Sequence, residues 1–177
     1  MEPKIGLVHV YTGNGIGKTT CSLGVALRAI GWGAKVCMIQ FIKGYSEIGE
    51  IKFADSFKDN FLIKQFALDL SLGIGDNKSK SRQKEALEAL NYARDIIKSA
   101  VFDIVILDEI NNALHFELIS TDEVLELIKN KPSKTELILT GRDAPQVIID
   151  AADYVTEMTL VKHPFYEGVG ARKGVDY

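Results

Sequence analysis

Short apolar runs alternate with stretches whose apolar positions recur at helical spacing. Ile5 to Tyr11 (IGLVHVY) reads as a buried strand. Lys18 to Ile30 follows as a helix, with Leu23, Ala26, Leu27 and Ile30 at helical spacing and Gly31 placed to stop it. Val36 to Phe41 and Phe61 to Phe66 are further strands, and Ser81 to Ala100 is an amphipathic helix carrying Ala86, Leu87, Leu90, Ala93 and Ile97 on one face. Phe102 to Leu107 (FDIVIL) is the most strand-like run in the chain. Ser120 and Glu123 have the spacing of a capping box, opening a helix through Val124, Leu127 and Ile128. Glu136 to Thr140 predicts another strand, Ala144 to Ala151 a short helix, and Tyr154 to Val161 a last strand.

The strands are continuously apolar rather than alternating, and helices separate them. That combination predicts an α/β fold of three layers, a mostly parallel sheet with helices on both faces. Its 177 residues suit a single domain spanning 1–177. The stretches 43–59 and 69–80 are polar and contain glycine, and read as long connections of the kind that bind ligands.

Composition narrows the function little. A net charge of −3 argues against a general nucleic-acid binder. Cys21 and Cys37 are far apart in sequence, and the three histidines have no metal-ligand spacing. His9, inside the first strand, reads as a packed core residue, and His115 as structural. No run approaches about 18 uninterrupted apolar residues, and no signal-peptide pattern precedes the first strand; no membrane span and a cytoplasmic location are therefore expected.

The chemistry begins between the first strand and the first helix, at Thr12-Gly13-Asn14-Gly15-Ile16-Gly17-Lys18-Thr19-Thr20. Three alternate glycines permit a tight turn whose amides approach phosphate oxygens. The helix start supplies its positive dipole end, Lys18 a full charge, and Thr19 a hydroxyl for magnesium. This is a P-loop in its context of strand, GKT and helix, and it predicts ATP binding by Gly13, Asn14, Gly15, Ile16, Gly17, Lys18, Thr19 and Thr20. The common pattern GxxxxGK[ST] wants glycine at position 12, where this chain has Thr12, so the loop is shorter than usual.

Asp108 and Glu109 follow directly on FDIVIL, at the carboxyl end of a buried strand, where ligands sit on open parallel sheets. An aspartate there orients magnesium, and a following glutamate prepares water in hydrolases. On these residues alone the default is an ATP-hydrolysing or phosphoryl-transferring enzyme. Arg142, after the strand ending at Thr140, reaches the nucleotide or lies on the surface. Lys162-His163-Pro164 approaches the site from the last strand or is structural.

GNGIGKTT from Gly13, IQFIKG from Ile39, ILDEINNAL from Ile106, LTGRDAP from Leu139 and the tail from Ala152 to Tyr177 together resemble the P-loop type ATP:corrinoid adenosyltransferases. The resemblance implies attack by a Co(I) corrinoid on the 5′ carbon of ATP, with inorganic triphosphate leaving. It implies a RecA-like fold that binds ATP in the reverse sense along the loop. Residues Gly13 to Thr20 then hold the leaving triphosphate, with Lys18 and magnesium or manganese offsetting its charge. Thr19, Asp108 and Glu109 are the expected metal residues, with Lys18 and Glu109 the catalytic pair. The resemblance also implies a homodimer, a flavoprotein reductant, and a segment covering the corrinoid, which in the family is aromatic. Here that segment offers Phe66, Leu68, Leu70 and Leu72. Two other classes stay open: a RecA-like ATPase or kinase, and a non-catalytic module that delivers nucleotide or corrinoid to a partner.

Overall fold

In a computed structural model, described here for residues 6–44, 47–66 and 76–177 (side chains of the long third helix from Lys80 onward), six strands form one sheet. They are β1 (Val8–Thr12), β2 (Val36–Phe41), β3 (Phe61–Phe66), β4 (Ile104–Asp108), β5 (Glu136–Thr140) and β6 (Tyr154–Glu157). Their order is β3-β2-β4-β5-β1-β6, and every neighbouring pair is parallel. The expected architecture is the observed one.

Both faces of the sheet are covered, which is why the strands are apolar throughout. On one face Cys37, Ile39, Phe41, Val105, Leu107, Leu137 and Leu139 pack against α3 (Asp76–Ser99), α4 (Ile110–His115), α5 (Thr121–Asn130) and α6 (Gln146–Asp150). On the other face the alternate residues Val36, Met38, Ile104, Ile106 and Ile138 meet α1 (Lys18–Gly31) and α2 (Gly49–Asp55). The period-two alternation along each strand is thus intact; both of its phases are hydrophobic. β6 is the exposed edge strand.

The helix starting at Ser120 forms with both halves of its capping box: the Ser120 hydroxyl accepts the Glu123 amide, and the Glu123 carboxylate accepts the Ser120 amide. Two departures concern the expected connections. The stretch 43–59 contains α2, seven residues long, anchored by buried Ile48 and Ala54 and by stacking of Phe53 on Phe57 and Phe61. Its apolar positions are too few to register as a helical period. Within 69–80, a helix is already under way at Asp76, and residues 69–75 lie outside the described part. The last strand stops at Glu157, not Val161, because from Met158 the chain turns onto the glycine loop, with the Gly15 amide bonded to the Met158 carbonyl. A turn at Pro164–Glu167 follows.

Candidate active site

Parallel strands all present their carboxyl ends to one edge, and four of them build the site there: β1 leads into the glycine loop, β2 into Lys43, β4 ends at Asp108, and β5 ends at Thr140.

The loop is shaped by two glycines in different ways. Gly17 has φ 109°, the left-handed region, and caps α1. Gly15 is required by proximity: a Cβ there would lie 2.6 Å from the Met158 carbonyl oxygen, and its amide donates to that same oxygen at 2.6 Å. The Gly15 amide is committed to the segment after β6 and is not free for phosphate. Asn14 is similarly committed, its Oδ1 accepting from the Leu160 amide at 3.1 Å. The amides opening α1 are open to an anion, since the first turn of a helix has no internal acceptors.

Lys18 is buried, and its Nζ donates to the carbonyls of Gly13 (2.8 Å) and Gly15 (2.6 Å), which hold the ammonium inside the curve of the loop. Burial lowers its pKa; Glu109 pulls the other way, and Arg142 adds to the lowering. Thr12, in place of the usual glycine, closes β1 with its hydroxyl accepting the Ala144 amide at 3.1 Å. Ile16 and Thr20 face outward.

Asp108 is fully buried and its carboxylate is saturated. Oδ1 accepts the hydroxyls of Thr19 (2.9 Å) and Thr140 (2.7 Å). Oδ2 accepts Lys43 Nζ (2.6 Å) and Gln40 Nε2 (3.3 Å). Such a set gives both oxygens of a carboxylate with no access to water their hydrogen-bond partners. Gln40 is itself buried and takes a hydrogen bond from Gln65 at 2.9 Å, so the network crosses β3, β2, β4 and β5. Glu109 follows in the left-handed conformation, φ 66°, its amide donating to the Thr140 hydroxyl at 3.0 Å. Burial raises the Glu109 pKa, the Asp108 charge raises it further, and Lys43, Lys18 and Arg142 oppose both.

Lys18, Thr19, Asp108 and Glu109 are therefore brought together as expected. Arg142 stands on the rim: its backbone amide is fixed to Asn112 Oδ1 at 2.6 Å, its side chain is exposed, and its charge reaches both Lys18 and Glu109. Phe66 ends β3 and packs on Tyr92, ring centres 5.6 Å apart; Leu68, Leu70 and Leu72 lie outside the described residues. His9 is a packing residue, paired with Glu136 and stacked on Tyr154 at 4.7 Å.

Lys43 was not among the residues singled out from sequence, although it lies in the IQFIKG run. It follows Ile42, a non-glycine residue at φ 57°, which turns the chain at the end of β2. Burial works to lower the Lys43 pKa, but the charge and hydrogen bond of Asp108, with Glu109 and Glu50, hold it above the ordinary lysine value. The only advance signal was a lysine two residues past a strand on the ligand-binding edge.

A three-layer parallel α/β sheet with a glycine loop opening the first helix, faced by a buried acidic strand end, defines the class as a P-loop-type nucleotide fold. Within that class, residues 4–177 match the family described as ATP:corrinoid adenosyltransferase BtuR/CobO/CobP. A corrinoid adenosyltransferase of Sinorhizobium sp. is 38% identical over 97% of this chain and 80% of its own length. The corresponding Pseudomonas aeruginosa protein is 36% identical (97% and 84%), and that of Escherichia coli K12 is 33% identical (97% and 86%). The chain belongs to the ATP:corrinoid adenosyltransferase family.

Proposed function

We propose that this chain transfers the 5′-deoxyadenosyl group of ATP to the Co(I) centre of a reduced corrinoid, releasing inorganic triphosphate, in adenosylcobalamin synthesis or salvage. The observation that carries the reading is the shortened loop, pinned by Met158 and enclosing the Lys18 ammonium, in a chain of this family.

In the reaction the cobalt electron pair forms the Co–C5′ bond, the C5′–O bond breaks, and its electron pair leaves with the triphosphate. No protein base is required, because the nucleophile carries its own electron pair. The task left to the protein is to stabilise the charge gathering on the leaving group. Lys18, the amides that open α1, and Arg142 on the rim are suited to that. Gly13, Asn14, Gly15, Ile16, Gly17, Thr19 and Thr20 complete the cradle, with Gly15 and Asn14 acting through the loop's shape.

The residues fit magnesium or manganese. Thr19 and Asp108 supply a hydroxyl and a carboxylate side by side, both hard oxygen donors, and Glu109 adjoins them. Among the described residues no group of three or more His, Cys, Asp or Glu could hold a metal by itself. That matches an ion bound through one or two carboxylates together with substrate phosphates. Bound there, it would supply Lewis-acid neutralisation of the triphosphate. Glu109 then holds the metal or shapes the pocket, with no water to activate.

The reading includes a single working domain over 1–177, a homodimer, a cytoplasmic location, a flavoprotein as electron donor, and Phe66, Leu68, Leu70 and Leu72 against the corrinoid. No described helix is long and apolar enough to cross a membrane. Incubation with ATP, magnesium and chemically reduced cobalamin should yield a light-sensitive Co–C product and triphosphate in equal amounts. Release of ADP and phosphate without a corrinoid product would replace this reading with an ATPase.

A further inference from the structure

Lys43 touches the same two side chains that are suited to the metal. Its Nζ lies 2.6 Å from Asp108 Oδ2 and 3.3 Å from Thr19 Oγ1, while Thr19 Oγ1 in turn donates to Asp108 Oδ1 at 2.9 Å. The ammonium therefore bridges a carboxylate and a hydroxyl that are fixed relative to each other. It arrives on the loop after β2, turned by the left-handed Ile42, whereas Asp108 and Thr140 are strand ends and Thr19 is in the first turn of α1. The carboxylate and hydroxyls are set by strand ends and a helix start, whereas the cation reaches them from a connecting loop.

We infer that Lys43 is a resident counter-cation which competes with the divalent ion for Asp108 and Thr19, and so sets how tightly the site takes metal. This deepens the proposed function and rests on Thr19 and Asp108 being metal-holding residues. The physical reason is charge. Asp108 is fully buried, and an uncompensated carboxylate at zero exposure is strongly unfavourable. One positive group satisfies it. Oδ2 also carries Gln40 Nε2, so a divalent ion at that oxygen adjoins Lys43 unless the ammonium withdraws. Two cations on one carboxylate repel, and the metal's affinity is lowered by the work of moving the lysine. Lys43 is thereby a positioning residue, acting on the metal through Asp108.

The test measures Mn2+ binding to the protein–ATP complex, with protein in excess over ATP, by the loss of the free-ion electron paramagnetic resonance signal; no corrinoid is present, so no turnover is involved. Lys43→Gln should bind Mn2+ about tenfold more tightly than the unsubstituted protein, or better, and Lys43→Arg should not gain. An equal or weaker affinity in K43Q overturns the inference. Asp108→Asn, run beside it, should lose Mn2+ binding. Loss in D108N with no gain in K43Q overturns the role of Lys43 alone; retained binding in D108N removes the metal site and the inference with it. A second measurement needs no variant. Acylation of Lys43 by an amine reagent, read by mass spectrometry against exposed Lys52, should rise when Mn2+ is added. Labelling indifferent to Mn2+ would show that the ion does not displace the ammonium.

Discussion

The amide of Gly15 donates to the carbonyl of Met158 at 2.6 Å, joining the glycine loop to the segment that leaves the edge strand. The contact has no room for a side chain: Cβ atoms on Gly13 and Gly15 would stand 2.5 and 2.6 Å from that oxygen. Gly15→Ala should therefore displace the loop and weaken ATP binding by at least tenfold, an effect of about 1.4 kcal/mol or more. Gly24→Ala is the matched control, because Gly24 lies in the interior of α1 with nothing within 4 Å of its Cβ position. It should raise stability by about 1 kcal/mol, as alanine exceeds glycine in helix propensity. Calorimetric ATP binding and thermal melting of the two variants check the pair; equal nucleotide affinity in G15A and the parent would refute the packing argument.

Lys18 is enclosed by two carbonyls at the start of α1, and its charge serves the leaving triphosphate in the proposed reaction. Lys18→Ala should lower adenosyl transfer by roughly 2–4 kcal/mol of transition-state stabilisation, the size seen when one preorganised electrostatic donor is removed. Single-turnover transfer to pre-reduced cobalamin measures it. Unchanged transfer would remove Lys18 from the mechanism.

Glu123 closes the capping box of α5 and meets Arg94 of α3 at 3.1 Å. The Ser120 amide first, then the Ser120 hydroxyl and Arg94, hold the Glu123 pKa below the ordinary glutamate value. A lowered carboxyl pKa means that the unfolded chain binds the proton more readily, so the contribution is complete above the ordinary glutamate value. It is lost as the pH falls through the lowered one. Ser120→Ala should cost about 1 kcal/mol at neutral pH. The stability gap between the parent and Glu123→Gln should be widest at neutral pH and close in acid. Urea unfolding across that range measures both, and a gap that widens in acid would contradict the assignment.

The strands β2, β3 and β5 were legible to the residue because each is a short apolar run bounded by polar or turn residues, and the capping box because it is a fixed local pattern. The residues of the site that lie on local motifs, Lys18 with Thr19 and Asp108 with Glu109, were legible for the same reason. Strand order was not: nothing local makes β5 the neighbour of both β1 and β4 and so sets Thr140 beside Asp108. Lys43 was missed because its importance is created by Ile42 turning the chain and by an aspartate 65 residues away. The commitment of the Gly15 amide to Met158 is likewise a contact across 143 residues that no spacing rule contains.

The corrinoid end of the reaction leads to the last prediction. Phe66 closes β3 with its ring against Tyr92 and Lys64 Nζ 5.8 Å from its centre, and the sequence continues through Leu68, Leu70 and Leu72. Placed against the corrinoid as proposed, such apolar side chains would offer a dry surface that displaces the lower axial ligand of Co(II) and makes the metal easier to reduce. A polar group there would keep that ligand or water in place, and the effect should fall on reduction alone. Leu70→Asn and Leu72→Asn should therefore slow product formation at least tenfold when Co(II) cobalamin and a reductant are supplied. Chemically pre-reduced Co(I) should be converted at close to the parent rate. Phe66→Ser is a less clean probe, because losing the contact with Tyr92 also costs packing. If the leucine variants slow Co(I) and Co(II) substrates equally, the segment serves binding in general and the reduction role fails.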